Sequence, residues 1–139
     1  MPVRDGPIVL DTSIAACWCL DDEVHPDADV ALSRINDWGA VVPALFWFEL
    51  RNVLLMGERR KRSTEARTAQ SLNLIRQLDM RIDREPVESI VMSLARLHQL
   101  SVYDAAYLEL ALRQVCPLAT LDGDLIKAAK AEKVELVGA

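Results

Sequence analysis

No apolar run in the 139 residues approaches the roughly 18 that a bilayer span needs, and no basic segment leads into an apolar stretch with a small-residue cleavage site. Neither a membrane span nor a secretory leader is expected, and the chain reads as soluble and cytoplasmic. Cysteine is scarce and odd in number: Cys17, Cys19 and Cys116 fit neither a zinc knuckle nor a redox C-x-x-C pair, so reduced, mostly buried thiols are expected. With His25 and His98 as the only histidines, a Cys/His zinc site has too few ligands. His98 is expected to pack on a helix surface, and His25, before Pro26, to be exposed in a polar loop. Net positive charge is also missing. Lys and Arg number 16 against 21 Asp and Glu, for −5 at pH 7, which argues against a nucleic-acid binder that relies on overall charge. Phosphate-cradling loops of the G-x-x-x-x-G-K-[ST] and G-x-G-x-x-G types are absent, as is a twelve-residue EF-hand loop. A D-x-D phosphatase fails because position 13 is Ser, the residue pattern of a phospho-acceptor receiver is missing, and neither Ser13 nor Ser101 has a well-placed histidine for acyl transfer.

What is present is enough apolar material, 51% of the chain, for the core of one domain spanning residues 1–139. The basic residues concentrate in one place. Residues 51–80 hold seven of the 16, centred on Arg59, Arg60, Lys61 and Arg62 with Arg51 and Arg67 nearby. This cluster reads either as a solvated turn between helices or as a surface that tracks backbone phosphates with forked Arg contacts.

Hydrophobic periodicity predicts alternating strands and helices. Pro7 to Leu10 is a short apolar run ending at Asp11, with Asp11, Thr12 and Ser13 able to cap a helix through Leu20. A helix over 27–37, a strand over Gly39–Val42 and a long helix opened by Pro43 and running to about Arg60 follow. That helix is apolar nearly all round, so it demands cover on more than one side, from a second copy of the chain or from a partner. Ser63 or Thr64 can cap the next helix, whose stripe is Leu72, Ile75 and Leu78; Met80–Asp83 is a strand. Pro86 starts a helix through Leu97, and Ser101 with Asp104 makes a capping-box-like start to another through Arg113. A strand over 117–120, a helix over 122–131 and a closing strand over 134–137 complete the chain. The expected fold is α/β, a short, mostly parallel central sheet covered by helices on both faces, with no internal repeat.

In such a sheet chemistry gathers outside the carboxyl ends of the strands. Asp11 follows the first strand, Asp122 and Asp124 follow the strand at 117–120, Asp104 opens a helix, and Glu49 sits between Phe48 and Leu50, where burial would be costly. Should Asp11, Glu49, Asp104 and Asp122 converge, their mutual repulsion calls for a hard divalent cation, Mg²⁺ or Mn²⁺. Each has a plainer account as well: Asp11 and Asp122 as helix caps, Asp104 as the acid of a capping box, Asp124 as a first-turn residue that suits the helix dipole.

Four spaced blocks, Val9-Leu10-Asp11-Thr12-Ser13, Pro43 through Phe48-Glu49-Leu50 with Asn52, Tyr103-Asp104-Ala105-Ala106-Tyr107-Leu108-Glu109-Leu110-Ala111, and Pro117-Leu118-Ala119-Thr120-Leu121-Asp122, resemble the PIN domain and, more narrowly, the VapC-type toxins of toxin-antitoxin pairs. The resemblance spans about residues 8–137. It implies a three-layer α/β sandwich, usually dimeric, and a metal-dependent endoribonuclease silenced by a cognate VapB-like antitoxin. Carried over by position, Asp11, Asp104 and Asp122 would hold Mg²⁺ or Mn²⁺, Glu49 would act through water, and Asp124 is an auxiliary ligand. Thr12 and Thr120 would orient those ligands. Arg59, Arg60, Lys61 and Arg62 would draw in the RNA backbone, and an antitoxin helix would lie beside residues 43–58 near Trp47, Phe48 and Met56. The rival readings are a noncatalytic protein- or RNA-binding module and a DNA or flap-type nuclease.

Overall fold

A computed structural model describes residues 5–21 and 23–138. Its frame is a four-stranded sheet in the order β3-β2-β1-β4, built from β1 (Ile8–Leu10), β2 (Ala40–Pro43), β3 (Met80–Asp83) and β4 (Leu118–Ala119), with every pairing parallel. The three residues of β1 are wholly buried. A strand covered on both faces reads as an unbroken apolar run, and Ile8-Val9-Leu10 is one. The cover comes from α2 (Pro26–Trp38) and α6 (Val102–Gln114), both of which lie against β1 and β4. Around them, α1 (Thr12–Cys19) packs on α2 and α3 (Leu45–Arg59), α4 (Glu65–Arg76) packs on α1 and α3, and α5 (Glu88–His98) and α7 (Gly123–Ala131) pack on α6.

Several boundaries follow directly from local chemistry. Thr64 caps α4 by accepting from the Arg67 amide, and Ser101 caps α6 by accepting from the Asp104 amide. Gly39 ends α2 with φ +82°, where a side chain would meet Asp79 at 3.0 Å, so only glycine turns the chain into β2 there. Two expectations are corrected. Pro43 does not open the long helix: it is the last residue of β2, opposite Asp83, and Ala44 occupies the cap before Leu45. The expected strand at 134–137 reduces to one parallel bridge, Leu136 with Leu118, because β4 itself is only two residues long and offers little ladder to extend.

Parallel strands place all their carboxyl ends on one edge of the sheet. The chain passes from β1 to β2 on one side, whereas β4 returns on the other, so the crevice between β1 and β4 is a topological switch point. The Asp11 amide donates to the Ala119 carbonyl across it at 3.0 Å.

Candidate active site

At that edge a cavity of about 640 Å³ is lined by Asp11, Thr12, Ser13, Glu23, Val24, His25, Glu49, Asn52, Asp104 and Asp122, among others, and by no Lys or Arg among the described residues. Asp11 stands at the N-cap position of α1 but makes no side-chain cap bond. Its Oδ2 instead accepts from Ser13 Oγ and Thr120 Oγ1, both at 2.7 Å. Ser13 Oγ also accepts from the Leu121 amide at 2.9 Å, and Thr120 Oγ1 accepts from the Asp122 amide at 3.1 Å. These bonds lock the loop after β4 onto the start of α1. The plain capping account of Asp11 therefore does not describe what its carboxylate does.

Glu49, on the second turn of α3, is half-buried and held by two hydroxyls. Tyr107 OH donates to its Oε1 at 2.6 Å and Thr12 Oγ1 donates to the same atom at 3.2 Å. Asp122 has a double role: it lines the cavity, and its Oδ1 caps α7 by accepting from the Leu125 amide at 2.9 Å. Asp104 lies in the first turn of α6 with its carboxylate turned to the same cavity.

The electrostatics follow from crowding like charges in a partly dry space. Burial pushes the Asp11 carboxyl up, against the pull of its hydroxyl partners, and burial pushes Glu49 up in the same way. Asp104 is pushed up to about 6, by burial first and then by the charges of Asp122, Asp11 and Glu49. The Tyr107 hydroxyl, buried and donating to Glu49, is held firmly protonated.

The donor chemistry, carboxylate oxygens with no competing cationic side chain, fits a hard divalent ion. As they stand, however, no three acidic, histidine or cysteine side chains among the described residues are drawn together closely enough to hold one. Water and substrate phosphate oxygens commonly complete such shells where protein carboxylates are few.

Other expected residues fall differently. Asp124 is exposed on α7 and is not among the described residues lining the cavity. Arg59, Arg60 and Lys61 are exposed at the end of α3, while Arg62 pairs with Glu23 at 2.7 Å and Arg67 clamps Asp21 at 2.5 and 2.6 Å. His98 bonds Glu132 at 2.7 Å, joining α5 to the end of α7. His25 is not simply exposed: it caps α2 by accepting from the Asp27 amide and lines the cavity. Tyr107 was hidden from sequence reasoning, because in Ala-Ala-Tyr-Leu it reads as core; its only signal is a hydroxyl that a buried tyrosine must satisfy. The long helix buries Phe46, Leu50 and Leu54 but leaves Trp47 and Phe48 in open ring contact, with Phe48 69% exposed.

A sequence profile of the PIN domain matches residues 8–131. Among solved structures, PAE2754 from Pyrobaculum aerophilum superposes with a TM-score of 0.69 at 20% identity, over 88% of this chain and 86% of that one. FitAcB from Neisseria gonorrhoeae does so with a TM-score of 0.51 at 20% identity, over 94% and 96%. At that identity both are likenesses of fold. No curated protein matches the sequence.

Proposed function

This chain belongs to the PIN domain family, and from that premise we propose that it is a metal-dependent endoribonuclease, the toxin of a toxin-antitoxin pair. The observation that carries the reading is the meeting of Asp11, Glu49, Asp104 and Asp122, residues from four separate elements, in one cavity without Lys or Arg among its described lining. Asp11, Asp104 and Asp122 would hold Mg²⁺ or Mn²⁺, with Glu49 acting through water. Bound there, the ion supplies a Lewis acid for the phosphate and lowers the pKa of water.

The protein's own groups do the rest. Thr120 and Ser13 fix Oδ2 of Asp11 and so hold its carboxylate in place at the cavity wall. Tyr107 and Thr12 hold Oε1 of Glu49, which orients its second oxygen toward water beside the scissile phosphate. Attack by water leaves 5′-phosphate and 3′-hydroxyl ends. Arg59, Arg60 and Lys61 provide a salt-dependent approach for the RNA backbone. The exposed ring of Phe48, beside a Trp47 ring that already carries the Arg51 guanidinium at 3.7 Å, suits a covering partner, either a second copy in a homodimer or an antitoxin helix.

The test is cleavage of a panel of RNAs with Mn²⁺ or Mg²⁺, alongside Asp11→Asn and Asp104→Asn. The expected result is cleavage by the natural chain only, at preserved folding, with single-stranded DNA of matched sequence competing poorly. Equal cleavage of the DNA would make it a nuclease of the flap or DNA type. RNA binding without cleavage would make it a binding module.

A further inference from the structure

The wall of the cavity formed by the α1–α2 connection has chemistry unlike that of the acids. Glu23, Val24 and His25 line it, with Asn52 of α3. Glu23 is neutralised by Arg62 at 2.7 Å, and Arg67 holds Asp21 at the start of the same connection. At the other end His25 Nδ1 accepts from the Asp27 amide at 3.1 Å, the N-cap bond of α2. Residues 23–25 are thus tied by an ion pair at one end and a cap bond at the other.

The cap bond also settles where the imidazole carries its proton. With Nδ1 used as an acceptor, the neutral ring must be the Nε2–H tautomer, so its free ring nitrogen is a donor. The side chain of His25 is 44% exposed and lines the cavity. A cavity that repels polyanions on one side and lacks Lys and Arg among its described lining must find uncharged donors for a phosphodiester chain. The ring N–H of His25 and the carboxamide of Asn52 are such donors, and Val24, 83% exposed, offers apolar surface beside them.

We infer that His25 is a substrate-positioning residue, its Nε2–H donating to a non-bridging oxygen of a phosphate next to the scissile one, with Asn52 supporting the same strand. The inference rests on the nuclease reading above and names the wall on which the RNA lies.

The experiment uses the full chain, Mn²⁺, and an oligoribonucleotide that the natural protein cleaves. His25→Asn keeps an N-cap acceptor, since asparagine is among the best caps, but removes the ring N–H, and with Oδ1 in the cap bond its carboxamide nitrogen stops well short of the position of Nε2. The expected result is a KM about tenfold higher with kcat within about twofold, an unchanged Mn²⁺ affinity and an unchanged melting temperature, the size expected for one lost hydrogen bond to a charged group. A second arm replaces single phosphates flanking the cleaved linkage with methylphosphonate. At the linkage His25 contacts, the neutral group raises KM for the natural chain and much less for His25→Asn. Equal penalties in both proteins, or an unchanged KM in His25→Asn, overturn the positioning role while leaving the nuclease intact. Absence of cleavage by the natural chain would instead remove the reading beneath it.

Discussion

Two groups of acids sit at the same edge of the sheet, and the protein treats them in opposite ways. At the end of β3, Asp83 accepts from both terminal nitrogens of Arg113, at 3.1 and 2.6 Å. The same guanidinium donates to Glu109 through Nε at 2.7 Å and Nη2 at 3.1 Å, and Glu109 Oε2 also takes the Val87 amide at 3.3 Å. Glu109 is 1% exposed, yet its charge is met from every side. Asp83 is accordingly held below the usual carboxylate range by Arg113. At the ends of β1 and β4, Asp11, Glu49 and Asp104 are met among the described residues by hydroxyls, an amide, Asp122 and one another, and all three are pushed up. One cluster is internally balanced and ties β3, α6 and the loop before α5 together. The other has no Lys or Arg among the described residues that line its cavity. An uncompensated site is a place for an external cation, and a compensated one is a place for structure.

The contrast is broken most severely by removing the balancing group. Arg113→Ala leaves Glu109 buried and unpaired, and the expected loss is about 3 kcal/mol or more of folding stability, read from denaturant midpoints. In the cavity the sign reverses. Asp104→Asn is expected to reduce RNA cleavage by on the order of a hundredfold or more, while raising the melting temperature in EDTA because a repelling charge is gone.

The pH dependence carries the same signature. A carboxyl raised to about 6 when folded binds its proton more tightly in the folded state, so stability rises as pH falls from 7 through about 6 toward the ordinary value of 3.8. Asp83 works the other way: its depressed pKa contributes stability above the ordinary value that is lost as pH falls through the folded one. Melting curves without divalent ions should therefore climb from pH 7 to about 5 and drop below about 4, and Asp104→Asn should flatten the climb alone.

Smaller effects sharpen the picture. Tyr107→Phe removes the shorter bond to Glu49, and a roughly tenfold weaker Mn²⁺ affinity by calorimetry is expected, as for other residues that orient a ligand. Lys61→Ala should weaken RNA binding by a few fold, reduce the salt slope by about one and leave Mn²⁺ binding unchanged. Equal loss of metal affinity would make Lys61 structural instead.

The sequence was most legible where local chemistry decides the outcome. The unbroken apolar run of β1 and the hydroxyl caps at Thr64 and Ser101 are fixed within a few residues, so periodicity and capping rules find them. Asp11 and Asp122 could be placed together because a parallel sheet sends every strand end to one side, whereas Glu49 and Asp104 sit within helices and came from the resemblance. Partners set by tertiary packing were not legible. Nothing near Arg113 in sequence points to Asp83, 30 positions away, and nothing in Ala-Ala-Tyr-Leu points to Glu49, 58 positions away. The closing strand failed for a related reason: Val134 to Val137 has the composition of a strand, but β4 leaves it room for a single bridge.

The bond from Thr120 to Asp11 joins residues 109 positions apart, so it forms only after distant parts of the chain have met. Until β4 is paired, Asp11 has Ser13 but not Thr120 to fix its carboxylate, and Asp122 is not held at the cavity. A nascent chain thus carries most of its helices without a finished cavity. The cavity is a property of the whole matched domain, closed only when its first and last strands lie side by side.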